Sequence, residues 1–308
     1  MNTADGLVHV LADVATFLIL GHDVGMSPVV SLLLIYCGLV VAASVAGGQV
    51  SQRLRLSHLR MQLLMSAVGG LMIGIAMMHL LPQAAVALGS VSRMGAGALI
   101  GLIAMFLLIR LFPTHDHAHP GQPTSCSHDE DHDHDHSRGM SWLGLFIGLT
   151  LHTVVDGVAL AASVLTEAGH VGWTLAGLGT FLAVALHKPL DSFAITTLMR
   201  KQRWTPTSQN WVNVAFSLSC PVGAAAFYFG ATSIGDSSAV LGWGLAMSGG
   251  FFIGIALADL LPEVAFHQHD KGILTAALLG GVLVAVGLEN LPGHQHATEV
   301  RAVAPDQD

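Results

Sequence analysis

Long apolar stretches alternate with short polar ones along most of the chain. A helix that spans a bilayer needs roughly 20 mainly apolar residues, and eight segments meet that requirement. They lie at about 28–48, 61–88, 94–112, 141–165, 172–199, 209–232, 239–266 and 272–291. The pattern therefore predicts an all-α polytopic membrane protein with eight transmembrane helices.

The polar stretches divide the chain around these helices. Residues 1–27 form an N-terminal segment with an interfacial helix, and transmembrane helices one to three occupy 28–112. A loop at 113–140 leads to helices four and five at 141–199, then to helices six to eight at 200–291 and a tail at 292–308. We expect the loop to be cytoplasmic and both ends of the chain to be extracytoplasmic.

The basic residues give that orientation. Nine of the twelve Lys and Arg residues fall where the loops of one membrane face would lie. Short loops rich in Lys and Arg stay in the cytoplasm. We therefore expect a multi-pass protein of a cell membrane with both termini outside.

Composition supports a lipid environment. Only 10% of the 308 residues are charged and the mean hydropathy is +0.63, whereas soluble domains have about 25% charged residues. The net charge of −8 gives no indication of a nucleic-acid partner. The three cysteines show no paired spacing, so no disulfide framework is predicted. The lipid bilayer is the expected partner, and a homodimer is left open.

One segment of the chain is repeated. "GGLMIGIAMMHLLPQ" at 69–83 matches "GGFFIGIALADLLPE" at 249–263 nearly position for position. These stretches fall in the second and seventh helices, which run in opposite directions. The match predicts a 3+2+3 arrangement, with helices four and five between two inverted repeats. A polar site at such an interface is a recurring feature of transporters.

Helices four and five each contain a histidine four positions before an aspartate, in "LHTVVDG" at 151–157 and "LHKPLDS" at 186–192. Residues at i and i+4 share a helix face. If the two helices face each other, His152, Asp156, His187 and Asp191 form an N₂O₂ set suited to a divalent metal. Hydrogen bonding between helices is the simpler alternative. A charged group at mid-membrane costs at least ~2.5–3.5 kcal/mol, so the duplicated spacing favours a metal site.

With these motifs the chain resembles the ZIP (Zrt/Irt-like) divalent-metal transporters, as a divergent bacterial-type member. The resemblance covers about 28–291 and includes eight helices, a His-rich loop and the two His-x-x-x-Asp motifs. In the family these two motifs usually read HNxPEG and HExPE. It implies that the His-Asp set is the family's first metal site, with aspartate replacing both glutamates. It also implies alternating access into the cytoplasm. Asp259 and Glu263 of "DLLPE" become pathway acids, and His79 in helix two could line the path.

Three positions depart from the family pattern. Thr153, Lys188 and Cys220 stand where the second, adjacent metal site of the family has an asparagine and two carboxylates. An ammonium in place of a carboxylate changes the local charge by two units and disfavours a second dication. We therefore expect one metal, with Lys188 as a counter-ion. Alternatively, Lys188 snorkels or pairs with an aspartate. Cys220 is expected to be a small hydrophobic side chain.

The loop at 113–140 is rich in histidine and acid. Such tracts bind metals weakly and flexibly, and they lack the fixed spacing of a structural zinc site. We interpret the loop as a site of cytosolic metal capture, with a solvated acidic linker as the alternative. Its histidines are His115, His117, His119, His128, His132, His134 and His136.

The expected function is transport of a divalent metal ion, and the chain is not expected to be an enzyme. Zinc is the first candidate substrate, with iron, manganese, cadmium and nickel open, because an N₂O₂ site accepts several metals. An intramembrane zinc hydrolase is one alternative, but a catalytic zinc keeps three protein ligands and a water. The other alternative is a relative that binds metal without moving it.

Overall fold

Ten α-helices and one π-helical turn make up the described part of the chain. In the computed structural model this part comprises residues 27–53, 58–111, 142–168, 175–234, 237–266 and 271–289. The helices are α1 Pro28–Arg53, α2 His58–Ile75, α3 Leu81–Leu88, α4 Val91–Leu111, α5 Trp142–Ala168, α6 Leu178–Lys201, α7 Pro206–Ser217, α8 Ser219–Ser233, α9 Ser237–Phe266 and α10 Lys271–Glu289. The π-helical turn Ala76–Leu80 joins α2 to α3. These residues contain no strand.

The predicted segments are helical in their described residues, except at 175–177 in the fifth and at Leu218 in the sixth. The second continues from α2 through the π-helical turn into α3, and the sixth divides into α7 and α8 at Leu218. The fifth begins later than predicted, because α6 starts at Leu178 after Gly177, whose φ of 72° lies in the left-handed region. The predicted N-terminal segment, the His-rich loop and the C-terminal tail lie outside the described residues.

Seven spans in the described residues are long and apolar enough to cross a membrane. They correspond to α1, α2 with α3, α4, α5, α7 with α8, α9 and α10. Helix α6 is not among them, since the polar run His187, Lys188 and Asp191 and the basic end at Arg200 and Lys201 lower its hydropathy. The structure confirms an all-α polytopic membrane protein. The count of eight spans stays a prediction.

The helices pack in four main pairs. Helix α1 packs along α6, α5 along α8, α2 along α10 and α4 along α9. If the first three predicted segments are exchanged with the last three, and the fourth with the fifth, the α1–α6 pair becomes the α5–α8 pair. The same exchange turns the α2–α10 pair into the α4–α9 pair. This arrangement is the one that the predicted inverted repeat requires. The repeat itself stays a prediction.

Small residues bring α5 close to its neighbour α8. A Cβ at Gly157 would collide with the carbonyl oxygen of Cys220, and a Cβ at Gly223 would collide with that of Val154. Close backbone approach through glycine is the usual way to pack helices in a bilayer. Because Gly157 directly follows Asp156, this contact fixes the position of a candidate metal ligand.

The glycine contact can be tested with one substitution and a control in the same helix. Gly157→Ala should destabilise the protein by ~1–3 kcal/mol, because its methyl group overpacks the α5–α8 contact. Gly144→Ala lies in the same helix with nothing within 4 Å of the added Cβ. It should be neutral or stabilising by up to ~1 kcal/mol, through helix propensity alone. Thermal unfolding in detergent measures both, and equal stability of the two variants would contradict the packing described.

Candidate metal site

Helices α5 and α6 bring the four predicted ligands together. His152 and Asp156 from α5 and His187 and Asp191 from α6 place one ligand atom each within 4.8 Å of one another. The Nε2 atom of His152 lies 3.4 Å from Asp156 Oδ2 and 3.5 Å from Asp191 Oδ2. The Nε2 atom of His187 lies 3.3 Å from Asp156 Oδ2 and 3.9 Å from Asp191 Oδ2.

These separations suit a tetrahedral metal. Zinc binds imidazole nitrogen and carboxylate oxygen at about 2.0–2.2 Å, which places neighbouring ligands of a tetrahedron about 3.3–3.6 Å apart. Three of the four N–O distances, 3.3, 3.4 and 3.5 Å, fall in that range. The fourth, at 3.9 Å, needs only a small movement of Asp191, which is the most exposed of the four.

Backbone hydrogen bonding fixes the ring of His187. Its Nδ1–H donates to the carbonyl oxygen of Ala183 at 2.7 Å, since a carbonyl can only accept. In the neutral ring the Nε2 atom then keeps its lone pair and points toward the aspartates. Metal-binding histidines are typically oriented in this way by a hydrogen bond at the other nitrogen.

Other polar atoms at the site are buried without a hydrogen bond in the described part of the chain. They are both ring nitrogens of His152 and Oδ1 of Asp156. A buried polar atom that makes no hydrogen bond costs about 1–3 kcal/mol. A cation held by Nε2 of His152 would offset part of that cost, so the donor set fits a divalent ion.

Lys188 lies beside the same aspartates. Its Nζ contacts Asp156 Oδ2 directly, and it donates to Asp191 Oδ2 at 2.9 Å and to Thr153 Oγ1 at 3.0 Å. The three ammonium hydrogens are thus matched by three acceptors, and the side chain is 0% exposed. Lys188 is thus buried and paired with both aspartates rather than extended to the membrane surface. Its role as a counter-ion in place of a second metal stays a prediction.

Thr153 and Cys220 occupy different environments. Thr153 accepts from Lys188 and donates its own hydrogen to the carbonyl of Leu149 at 2.7 Å, so its hydroxyl is fully engaged. Cys220 belongs to a buried apolar cluster that includes Ala159 and Ala162. Its thiol is free of any disulfide. The hydrophobic environment predicted for Cys220 is the one observed.

A cavity of about 320 Å³ extends from the site toward one end of the helices. Its inner wall includes His152, His187 and Asp191, and its far wall includes Met61 near the start of α2 and Lys201 at the end of α6. These helix ends carry Arg60, Arg200 and Lys201. The candidate ligands can therefore be reached from the basic end of the bundle.

His79 lies apart from the four candidate ligands and does not line this cavity. It is buried against Glu167, with His79 Nε2 2.6 Å from Glu167 Oε1. The sequence interpretation missed Glu167, which lies two residues beyond the predicted end of the fourth segment and in the last turn of α5. Its position 11 residues after Asp156 is the signal that could have found it, because 11 residues make three helical turns.

Several predicted positions lie outside the described residues. The backbone of Asp259 and Glu263 belongs to α9, but their side chains are not described. The seven loop histidines also lie outside. Their roles stay predictions.

The proteins that are similar to this chain have consistent descriptions. The sequence model described as "ZIP Zinc transporter" matches residues 112–289. "Zinc transporter ZIP9" of Macaca fascicularis is 31% identical over 165 residues, which cover 49% of this chain and 67% of that protein. "Zinc transporter ZIP9-B" of Xenopus laevis is 27% identical over 217 residues, 66% of each chain. "Zinc transporter GufA" of Myxococcus xanthus is 24% identical over 194 residues, 63% of this chain and 69% of that protein. The matches thus span about two thirds of these relatives.

The contacts of Lys188 lead to a stability prediction. Lys188→Met leaves Asp156 and Asp191 buried without their cation, so the metal-free protein should lose about 3–5 kcal/mol of stability. Zinc should restore much of that loss, because the dication replaces the missing charge. Thermal unfolding with a chelator and with zinc measures both effects.

A matched control lies in the same helix. Lys201 is exposed at the end of α6, and an exposed ion pair contributes about 0–1 kcal/mol. Lys201→Met should therefore change stability little and gain no extra stabilisation from zinc. Equal behaviour of the two variants would show that Lys188 does not neutralise the site.

Proposed function

Because the chain belongs to the ZIP family of zinc transporters, we propose that it carries a divalent transition-metal ion through the membrane. The ion would bind at His152, Asp156, His187 and Asp191. The observation that supports this most strongly is the convergence of two imidazoles and two carboxylates, buried on facing helices, at separations that suit a tetrahedral ion. Buried ionisable groups at this depth of a membrane protein are functional by default.

Transport fits the ligand set better than hydrolysis. A catalytic zinc keeps one position open for water beside three protein ligands. Here four protein ligands surround one point, and the proteins similar to this chain are named zinc transporters. This agrees with the prediction that the chain is a transporter rather than an enzyme.

The ion would exchange with an internal cation. Lys188 Nζ contacts Oδ2 of both Asp156 and Asp191, and the same Oδ2 atoms approach the histidine nitrogens. A dication that takes these oxygens must displace the ammonium, since two cations a few ångströms apart repel each other strongly at low dielectric. We therefore propose one ion at the central site, with Lys188 in place of a second.

The cavity supports a direction. It leads from the candidate ligands to the end of the bundle that carries Arg60, Arg200 and Lys201. Basic loops face the cytoplasm, so we propose that this is the cytoplasmic end and that the structure represents an inward-facing state. Uptake into the cytoplasm by alternating access would then require a second state in which the opposite side opens.

Zinc is the proposed substrate, as it is in the names of the similar proteins. Iron, manganese, cadmium and nickel fit the same donor set, because such sites distinguish metals by geometry and availability more than by ligand type. Multi-pass insertion in a bacterial inner membrane, extracytoplasmic termini and a homodimer are also proposals. Metal capture by the loop histidines is also a proposal.

Uptake of radioactive zinc into proteoliposomes tests the proposed site. Asp191→Ala should abolish uptake, because no other carboxylate among the described residues completes the set. Ser192→Ala is the matched control. Ser192 is the next residue in the helix, but its hydroxyl bonds to Ser44 at 2.7 Å on the side facing α1. It should transport zinc at close to the normal rate.

Two results would contradict the proposal. Wild-type uptake by Asp191→Ala would exclude the central site as the transport site. Zinc binding by the unaltered protein without uptake in either orientation would identify a relative that binds metal and does not move it.

A further inference from the structure

A second buried polar cluster lies between α5, α6 and the π-helical turn. It consists of His79, Gln83, Ser163, Glu167 and Thr180. His79 and Glu167 are each 2% exposed. Neither the four central ligands nor the cavity beside them includes any of these residues. A carboxylate and an imidazole buried this deeply in a membrane protein call for a functional explanation.

Glu167 is the centre of the cluster. Its Oε1 accepts from His79 Nε2 at 2.6 Å, from Gln83 Nε2 at 2.9 Å and from Ser163 Oγ at 2.9 Å. Its Oε2 accepts from the backbone N–H of Gly177 at 2.9 Å, just before α6 begins. The hydroxyl of Thr180 donates to Ser163 Oγ at 3.0 Å. One carboxylate thus joins the ends of α5 and α6 to the turn that carries His79.

The cluster lies in line with the central site. Ser163 and Glu167 follow Asp156 by 7 and 11 positions, about two and three turns along the same face of α5. Thr180 precedes His187 by 7 positions on α6. At ~1.5 Å per residue, the cluster lies roughly 10–16 Å beyond the central ligands along the helix axes. The cavity extends from those ligands in the other direction, toward Lys201.

An apolar layer separates the two polar groups. Ala159 on α5 and Ala183 on α6 lie between them in the helices, and both are fully buried with Ile75 and Ala76 in one apolar cluster. An ion that enters from the end of the bundle opposite Lys201 would therefore meet the polar cluster before it reaches the central site.

The local structure of the second predicted segment positions His79. The π-helical turn Ala76–Leu80 inserts an extra residue where the helix passes α5 and α6. Such turns occur frequently at functional sites, because they rotate a side chain out of the normal helical register. Met77 and Met78 in the same turn are exposed, whereas His79 is directed inward onto Glu167.

From these observations we propose that His79 and Glu167 form an outer binding station for the divalent ion, which rests on the transport function proposed above. Imidazole nitrogen and carboxylate oxygen are the donors that zinc-like ions prefer. The hydroxyl oxygens of Ser163 and Thr180 lie beside them, and the amide of Gln83 can turn its oxygen toward a cation. His79 binds as the tautomer that carries its hydrogen on Nδ1. With two strong ligands instead of four, the station binds the ion more weakly than the central site.

Counting bound ions tests the station and the central site separately. Full-length protein is equilibrated with cadmium, a larger and softer divalent probe that also binds imidazole and carboxylate, and the metal per chain is measured by mass spectrometry. Glu167→Gln keeps the shape of the side chain and an acceptor for Gly177, and it should bind one ion fewer than the unaltered protein. His187→Ala should also lose one ion, and the double variant should lose two. The loop histidines are present in all variants, so their contribution cancels.

Ser44→Ala is the control for loss of a buried hydrogen bond elsewhere, because Ser44 bonds to Ser192 in the α1–α6 contact. It should bind as many ions as the unaltered protein. His79→Gln provides a second test of the station and should match Glu167→Gln. Thermal unfolding confirms that each variant is folded.

The outcomes distinguish the two proposals. If Glu167→Gln and His79→Gln bind as many ions as the unaltered protein, the outer station is excluded. The hydrogen bonds of the cluster then only hold the helices together. If the single variant His187→Ala binds as many ions as the unaltered protein, metal binding at the central site is excluded instead. A loss of one ion in each single variant and of two in the double variant supports both. Zinc uptake by Glu167→Gln should then show a KM raised about tenfold or more, since even loss of an outer-shell partner weakens metal sites by 10–100-fold.

Discussion

Two carboxylates side by side inside a membrane protein, one fully buried and one largely buried, require a cation, and the rest of the structure is organised around that requirement. Asp156 is 0% exposed and approaches Asp191 through shared contacts with both histidines and Lys188. An isolated buried charge is far too costly to keep. The Lys188 ammonium offsets one of the two carboxylate charges, so one negative charge remains at the site. In the proposed mechanism, that remaining negative charge attracts a dication, which takes over the oxygens that the lysine now holds.

The packing of the helices keeps these groups in place. Gly157 lets α5 approach α8 directly beside Asp156, and Gly47 lets α1 approach α6 at Pro189, next to Lys188. The aspartates therefore lie on rigid, closely packed helices rather than on loops. The site is also asymmetric along the helix axes. On one side the cavity reaches Lys201, and on the other the apolar layer and the Glu167 cluster close the bundle. This asymmetry agrees with the inward-facing state proposed above.

Much of the central site could be predicted from the sequence because it follows from helical periodicity. The i, i+4 spacing of His152 with Asp156 and of His187 with Asp191 placed each pair on one face, and the structure brings the two faces together. The sequence left open whether Lys188 is a counter-ion in place of a second metal or a lysine that snorkels or pairs with an aspartate, since its contacts depend on how deeply the neighbouring helices bury its stem. Only the fold shows its contacts with both aspartates. Glu167 was missed because an acid at the end of an apolar segment resembles an ordinary helix-end charge. The π-helical turn that brings His79 to Glu167 leaves no clear signature in the sequence, because such a turn depends on tertiary packing.

The most direct test is a crystal structure of the protein with bound zinc, in which the anomalous scattering of the metal locates the ion. We expect a peak about 2.0–2.2 Å from Nε2 of His152 and His187 and from a carboxylate oxygen of Asp156 and Asp191. The ammonium of Lys188 should have moved away from the Oδ2 atoms that it now contacts. A zinc ion bound elsewhere in the membrane-spanning helices, with Lys188 still bridging the two aspartates, would contradict the exchange of lysine for metal.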